Sequence, residues 1–112
     1  MRQKFLAVMS VFLLVCLCTQ ADGTRRLEKI SEHVWAYSGV MPMSIEHSFG
    51  ANAGVIVGEN GALVVDTLIS AKEGKQLLAD IREVTKEPIL WVVNTHYHLD
   101  HACGNCIFAA EG

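Results

Sequence analysis

Basic residues are in the minority in this chain. Nine Lys and Arg stand against twelve Asp and Glu, and the net charge is −3. No basic field is present to attract nucleic acid. There is no glycine-rich phosphate loop either, since Gly58-Glu59-Asn60-Gly61 does not fit one. No internal repeat occurs. The longest charge-free apolar run, Phe5 to Cys18, has 14 residues, short of the ~20 that span a bilayer. A length of 112 residues allows one small domain at most.

That apolar run explains part of the high hydrophobic content of 51%. Arg2 and Lys4 precede it as a positive region, and Thr19-Gln20-Ala21 ends it on a small residue. Met1 to Ala21 therefore reads as a secretory signal peptide, with cleavage expected before Asp22. The alternatives are an uncleaved anchor and a lipoprotein signal. The second is disfavoured because Cys16 and Cys18 follow Val15 and Leu17 rather than a small residue. Cleavage would leave seven basic and twelve acidic residues, a net of −5. The expected location is periplasmic or extracellular, with no stable membrane anchor.

Of four cysteines, Cys103 and Cys106 would survive cleavage, in a C-x-x-C spacing. Such a pair is a redox motif, half of a zinc site or two incidental thiols. A thioredoxin-like context is absent, so incidental thiols are the simplest reading, with an oxidised pair open to an exported protein.

Hydrophobic patterning predicts the elements. Leu27 to Tyr37 alternates around Ser31-Glu32-His33 and reads as a hairpin opening a sheet, with His33 solvated in its turn. Ser38 to Gly50 lacks periodicity and reads as a loop. Ala53 to Val57 and Ala62 to Asp66 read as two strands around Glu59-Asn60-Gly61, where Asn-Gly favours a tight turn. Neither face of these two strands is expected to be solvated. Ser70 to Thr85 reads as a helix. Ser70 and Glu73 have capping-box spacing, and Ala71, Gly74, Leu77, Leu78, Ile81 and Val84 form one apolar stripe. Pro88 starts the next segment, and Asn105 to Ala110 is expected to begin a second helix.

The stretch Ile89 to Asn105, ILWVVNTHYHLDHACGN, carries the chemistry. Ile89 to Val93 reads as a buried strand. His96, His98, Asp100 and His101 follow at once. Side chains two apart in an extended segment point the same way, so His96 and His98 are expected to grip one ion together. Asp100 and His101, where the chain turns away, are expected to face a second. Imidazole and carboxylate suit zinc, and also iron or manganese. Packing alone is a poor explanation for three His and an Asp so close together, since such polar residues are mostly exposed. Asp66, an acid ending an apolar strand, reads from its residues alone as either a turn-starting Asp or a functional one.

His96-x-His98-x-Asp100-His101, after a hydrophobic strand and before Gly104-Asn105, resembles the signature of the metallo-β-lactamase superfamily. A Gly-Gly pair common there is Cys103-Gly104 here. The resemblance implies that His96 and His98 bind a first metal and Asp100 and His101 a second, with a bridging water or hydroxide as nucleophile. It implies that Asp66 supports the metal loop by hydrogen bonding rather than by ligation. It also implies an early loop over the metal site, on which Met41, Met43, Ile45 and Phe49 contact an apolar substrate group; the alternative is that these residues fold onto the sheet edge. His47 has no ligand spacing around it.

The expected fold is mixed α/β (α+β), the metallo-β-lactamase-like four-layer αβ/βα sandwich. Residues 22–112 are its N-terminal part. Three strands that look buried on both faces, with one helix and a stub to cover them, point the same way. The expected function is a zinc-dependent hydrolase of esters, thioesters or amide-like bonds of a small-molecule substrate, with Asp100 catalytic and Zn2+ at one or two sites. The chain as given is expected to be the first half of such a domain and inactive. The alternatives are a non-catalytic metal-binding protein with a partial site and a diiron oxidoreductase of the same fold. His98 favours the hydrolase, because many diiron members carry an acidic residue at that position.

Overall fold

The computed structural model describes residues 25–39 and 42–111. The expected signal peptide, Met1 to Ala21, and Met41 of the early loop lie outside the described residues. The described chain forms one five-stranded sheet in the order β1-β2-β3-β4-β5. The strands are β1 (Arg26–Lys29), β2 (Val34–Ser38), β3 (Ala53–Val57), β4 (Ala62–Val65) and β5 (Ile89–Val93). The first four are antiparallel neighbours, and β5 runs parallel to β4.

Each expected hairpin is present. Leu27 pairs with Tyr37 across the first, and Val57 with Ala62 across the second. Between β4 and β5 lies α1 (Ala71–Val84), because a parallel partner needs a crossover. The Ser70 hydroxyl caps α1 by accepting from the Glu73 amide at 3.2 Å. The stripe read from the sequence buries Gly74, Leu77 and Ile81. Two short helices follow β5, namely α2 (Leu99–Ala102) and α3 (Asn105–Phe108). The expected second helix is thus a single turn, and α2 was not anticipated. A 3-10 segment, Ile45–Gly50, sits within the early loop.

The core lies on one side of the sheet. Tyr37, Ala53, Val55, Ala62 and Val64 point from the strands to Leu77 and Ile81 of α1, Phe108 of α3 and Leu68. The other face carries Val34, Ile56, Leu63 and Trp91 in one row, and Ala36, Gly54, Val65 and Val93 in the next. This face is open among the described residues. Ile56 is 43%, Val93 48% and Trp91 67% exposed.

Two expectations are therefore corrected. Ile89 to Val93 is not a buried strand, since only Ile89 is buried. The strands β3 and β4 are buried on one face rather than two. Apolar side chains on successive residues require two covering layers, and the described residues supply one.

Candidate metal-binding loop

The strand β5 ends at Val93, and the next residues bend instead of continuing extended. His96 and His98 thus do not share a strand face, which corrects the geometry first expected of them. They meet through the bend, with ring centroids 4.7 Å apart and edge-on. His101, on α2, reaches the same place from the other direction. Its ring centroid is 4.1 Å from that of His96. Asp100 Oδ2 lies 3.4 Å from His101 Nε2. His96 and His98 are exposed, and Asp100 and His101 half-buried. Tyr97, between the first two ligand candidates, stacks edge-on against His98 at 4.7 Å and is otherwise exposed.

Asp66 lies beneath this loop, buried, directly after β4. One carboxylate oxygen accepts from the Thr95 amide at 2.8 Å. The other accepts from the Thr95 hydroxyl at 2.8 Å and faces His101 Nδ1 at 2.8 Å. Burial alone would push this carboxyl up. The hydrogen bonds from the Thr95 amide, from His101 and from the Thr95 hydroxyl outweigh it, and the carboxyl is held below its ordinary range. Asp66 is therefore ionised at neutral pH and accepts only, so the hydrogen between it and His101 belongs to Nδ1.

The same logic extends to His96. Its Nδ1 is 2.9 Å from Thr95 Oγ1, whose single hydrogen points to Asp66. The hydroxyl oxygen can then only accept, and His96 Nδ1 donates. His96 and His101 thus both donate through Nδ1, which leaves Nε2 as the ring nitrogen each can turn to a metal, oriented from behind by a carboxylate.

The backbone under the loop is strained and tightly tied. Asp66 has φ 61° and Leu68 φ 71°. For a bulky residue such as Leu, that conformation is an outlier, with a cost of about 1–2 kcal/mol. The ties that hold it are local. Thr67 N donates to His101 O at 2.8 Å, and Gly104 N donates to Leu68 O at 3.0 Å. The Thr67 hydroxyl donates to Asn105 Oδ1 at 2.6 Å. Asn94 Nδ2 donates to His101 O at 2.9 Å, and Asn105 Nδ2 returns a bond to Asn94 Oδ1 at 2.6 Å. Gly104 allows the approach, since a Cβ there would sit 1.9 Å from Thr67 O.

The early loop is tied to the same region. Ser48 is fully buried with φ 50°. Its hydroxyl accepts from Ile69 N at 2.9 Å and donates to Glu73. Arg25, also buried, donates to His47 O at 2.7 Å. Met43, Ile45 and Phe49 remain exposed on this loop.

Thr95, Thr67, Asn94 and the Ser48–Glu73 clamp were not singled out by sequence reasoning. Only Asn94-Thr95, as the residues that end a strand before the His cluster, offered a signal. The donor types present, three imidazoles and a carboxylate in one loop, suit a borderline divalent cation. Among the described residues no group of three or more His, Cys, Asp or Glu is arranged to hold an ion.

Residues 48–111 match the family model described as the Metallo-beta-lactamase superfamily. The chain is 35% identical over 57 residues to a linear primary-alkylsulfatase of Pseudomonas sp. (strain ATCC 19151), covering 51% of this chain and 11% of the relative. Among solved structures it is similar to the DIM-1 metallo-beta-lactamase, with TM-score 0.61 and 25% identity over 78% of this chain and 38% of that one. It is also similar to the metallo-beta-lactamase FIM-1 from Pseudomonas aeruginosa in its mono-zinc form. There the TM-score is 0.63 and the identity 22%, over 80% of this chain and 39% of that one. The chain thus spans about a tenth of the sulfatase and under two fifths of each lactamase.

Proposed function

The chain belongs to the metallo-beta-lactamase superfamily, and from that premise we propose that it carries the first metal-holding loop of a zinc-dependent hydrolase. The observation that carries this reading is the hydrogen-bonded chain His96–Thr95–Asp66–His101, which engages Nδ1 of both histidines and leaves Nε2 of each as the nitrogen for an ion. His96 and His98 would hold one ion, and Asp100 and His101 a second. When bound, such an ion supplies a Lewis acid at the scissile bond and a lowered pKa for water.

This chain's own residues do the rest. Asp66 keeps His101 in its Nδ1–H tautomer and, through the Thr95 hydroxyl, does the same for His96. Asp100, beside His101 Nε2, orients the attacking water. The bonds from Thr67 and Asn94 to the His101 carbonyl hold the α2 turn against the sheet. The substrate class is a small molecule with an ester, thioester, amide-like or sulfate ester bond. The last is supported by the alkylsulfatase relative. We also propose that the protein is exported and begins at Asp22 after cleavage, to be checked by N-terminal sequencing. A product that retains Phe5 to Cys18 would refute this.

The test is zinc titration of the purified protein, followed by elemental analysis and hydrolysis assays with sulfate ester, ester, thioester and β-lactam substrates. Loss of one bound zinc in His96→Ala/His98→Ala, and of any turnover in Asp100→Asn, is the expected result. Zinc stoichiometry and affinity unchanged in the double variant would sink the ligand assignment. A second reading is a metal-binding protein without turnover. The assignment above gives each ion two protein ligands from this chain, whereas a catalytic zinc takes three and an open position. Zinc bound with none of the substrates hydrolysed would select it.

A further inference from the structure

We propose that Cys103 and Cys106 form a modification site, a dithiol that closes into an intrachain disulfide by exchange with a low-molecular-weight disulfide and braces the turn behind His101. The proposal stands apart from the hydrolase reading, since it concerns thiols and needs no metal.

Both cysteines are free and exposed. Cys103 closes α2 and Cys106 lies in the single turn of α3; between them stand Gly104, at φ −78°, ψ −6°, and Asn105, the first residue of α3. Central residues of this helical kind form a turn whose first and fourth Cα atoms lie within about 7 Å. A disulfide spans about 4.4–6.8 Å between Cα atoms. The backbone is held on both sides of the turn. Cys103 N donates to Leu99 O at 3.1 Å, and Ile107 N donates to Gly104 O at 3.0 Å. The Cys106 thiol already folds back over it, 3.7 Å from the Cys103 carbonyl oxygen. Side-chain rotation and a slight tightening of the turn bring the two sulfurs together.

The enclosed residues give the bridge its consequence. Gly104 and Asn105 are the ones that fasten this turn to the sheet, through Leu68 O, the Thr67 hydroxyl and Asn94. His101, two residues before Cys103, is fastened at its carbonyl by Thr67 and Asn94 as well. A covalent staple across Gly104 and Asn105 therefore restrains the segment that carries the His101 ring.

The chemistry balances as ordinary exchange. One cysteine sulfur, its proton released to water, attacks a disulfide R–S–S–R. A mixed disulfide forms, and R–S⁻ leaves and takes up a proton. The second cysteine sulfur then attacks the protein-side sulfur, forming the Cys103–Cys106 bond and releasing the second R–SH. Two protein thiols are oxidised, and one external disulfide is reduced to two thiols.

The experiment uses the whole chain with oxidised glutathione, followed by alkylation, tryptic digestion and mass spectrometry. Cleavage after Lys86 isolates Glu87 to Gly112, which contains Cys103 and Cys106 apart from Cys16 and Cys18. The expected product is this peptide lighter by two hydrogens, with neither alkyl nor glutathione attached, and restored by dithiothreitol. C103S and C106S are each expected to retain one glutathione instead. The ratio of closed to mixed disulfide in native buffer is expected to exceed that in urea at least tenfold, on the order expected for a preformed turn. Amide hydrogen exchange at Gly104 is expected to slow when the bridge is closed. A peptide with two alkyl groups, with glutathione retained, or joined to a second chain would overturn the proposal. So would equal ratios in buffer and urea, or unchanged exchange at Gly104.

Discussion

Gly104→Ala tests how tightly the candidate loop is seated. The φ of −78° at Gly104 is one that alanine adopts freely, so backbone preference is not the obstacle. The obstacle is Thr67. An added Cβ would lie 1.9 Å from Thr67 O, 2.9 Å from Thr67 C and 3.0 Å from Thr67 Cβ. Two of these three are backbone atoms, in a segment flanked by the left-handed Asp66 and Leu68. Neither neighbour can rotate away as a flexible side chain would. The turn must instead lift by about 1 Å, which stretches the 3.0 Å bond from Gly104 N to Leu68 O. Overpacking of this kind costs about 1–3 kcal/mol, and a buried amide left without its acceptor costs about 1–3 kcal/mol more. The expected loss is about 2–6 kcal/mol. At about 4–8 °C per kcal/mol for a domain of this size, that lowers Tm by about 8–48 °C, a large part of a small domain's stability.

Gly74→Ala is the matched control. Its Cβ would meet Gly104 Cα at 3.2 Å and the Ile107 side chain at 3.3 Å, tight but not overlapping. A helix-interior Gly→Ala gains up to about 1 kcal/mol in propensity, so the two effects offset, and a change within about 1 kcal/mol is expected. The assay is thermal and urea unfolding followed by far-UV circular dichroism. A Gly104→Ala protein with no cooperative transition, beside a folded Gly74→Ala, agrees with the reasoning. A Gly104→Ala protein within about 1 kcal/mol of the parent refutes it.

Three further outcomes are expected. Asp66→Asn should weaken zinc binding about 10–100-fold, measured by competition with a chromophoric chelator, and unchanged affinity would reduce Asp66 to a turn residue. Asn105→Ala should cost about 1–3 kcal/mol in urea unfolding, because it leaves the Thr67 hydroxyl and the Asn94 carboxamide without their partner. Burial first, and then the nearby Asp80 carboxylate, raise the Tyr37 phenol well above its ordinary value. The unfolded phenol ionises near pH ~10 while the folded one stays protonated, so stability from this group is intact below that pH and falls as pH rises above it. Tyr37→Phe should remove that alkaline component from the stability profile, and identical slopes in both proteins would show that Tyr37 does not contribute it.

Much of the sheet was legible because it follows from local pattern. Alternation around Ser31-Glu32-His33, the Asn60-Gly61 signal and the Ser70–Glu73 cap are all short-range, and each strand and helix lies where its pattern predicts. The second hairpin differs in its turn: neither Asn60 nor Gly61 takes the positive φ expected of a tight Asn-Gly turn, and four residues, Gly58 to Gly61, connect β3 to β4. Burial was less legible. Ile56, Trp91 and Val93 have the composition of two-sided core strands, yet the layer that would cover their face is absent from the described residues, and periodicity says nothing about which covering layers are present. The site divides in the same way. The four candidate ligands stand close in sequence and could be read directly. Thr67, Asn94 and Asn105 act through partners brought near by the crossover from β4 through α1 to β5, and no spacing encodes that meeting.

The division bears on how such a loop can work at all. The loop of His and Asp side chains after β5 buries little apolar surface of its own, since Tyr97 and Leu99 are exposed, so burial cannot order it. Ordering costs about 1–2 kcal/mol per residue in backbone entropy, and here polar contacts to fixed backbone must offset it. The Asp66 carboxylate, the Thr67 amide and the Leu68 carbonyl supply them from one short stretch after β4. That stretch can present three such groups toward the loop because its backbone enters the left-handed region at Asp66 and again at Leu68. Extended backbone would send successive groups to alternate sides. The strain at Leu68 is thus the local cost of aiming Asp66 and Thr67 together at Thr95 and His101. It is held by burial of the Leu68 side chain, which is 1% exposed in the core between sheet and helix.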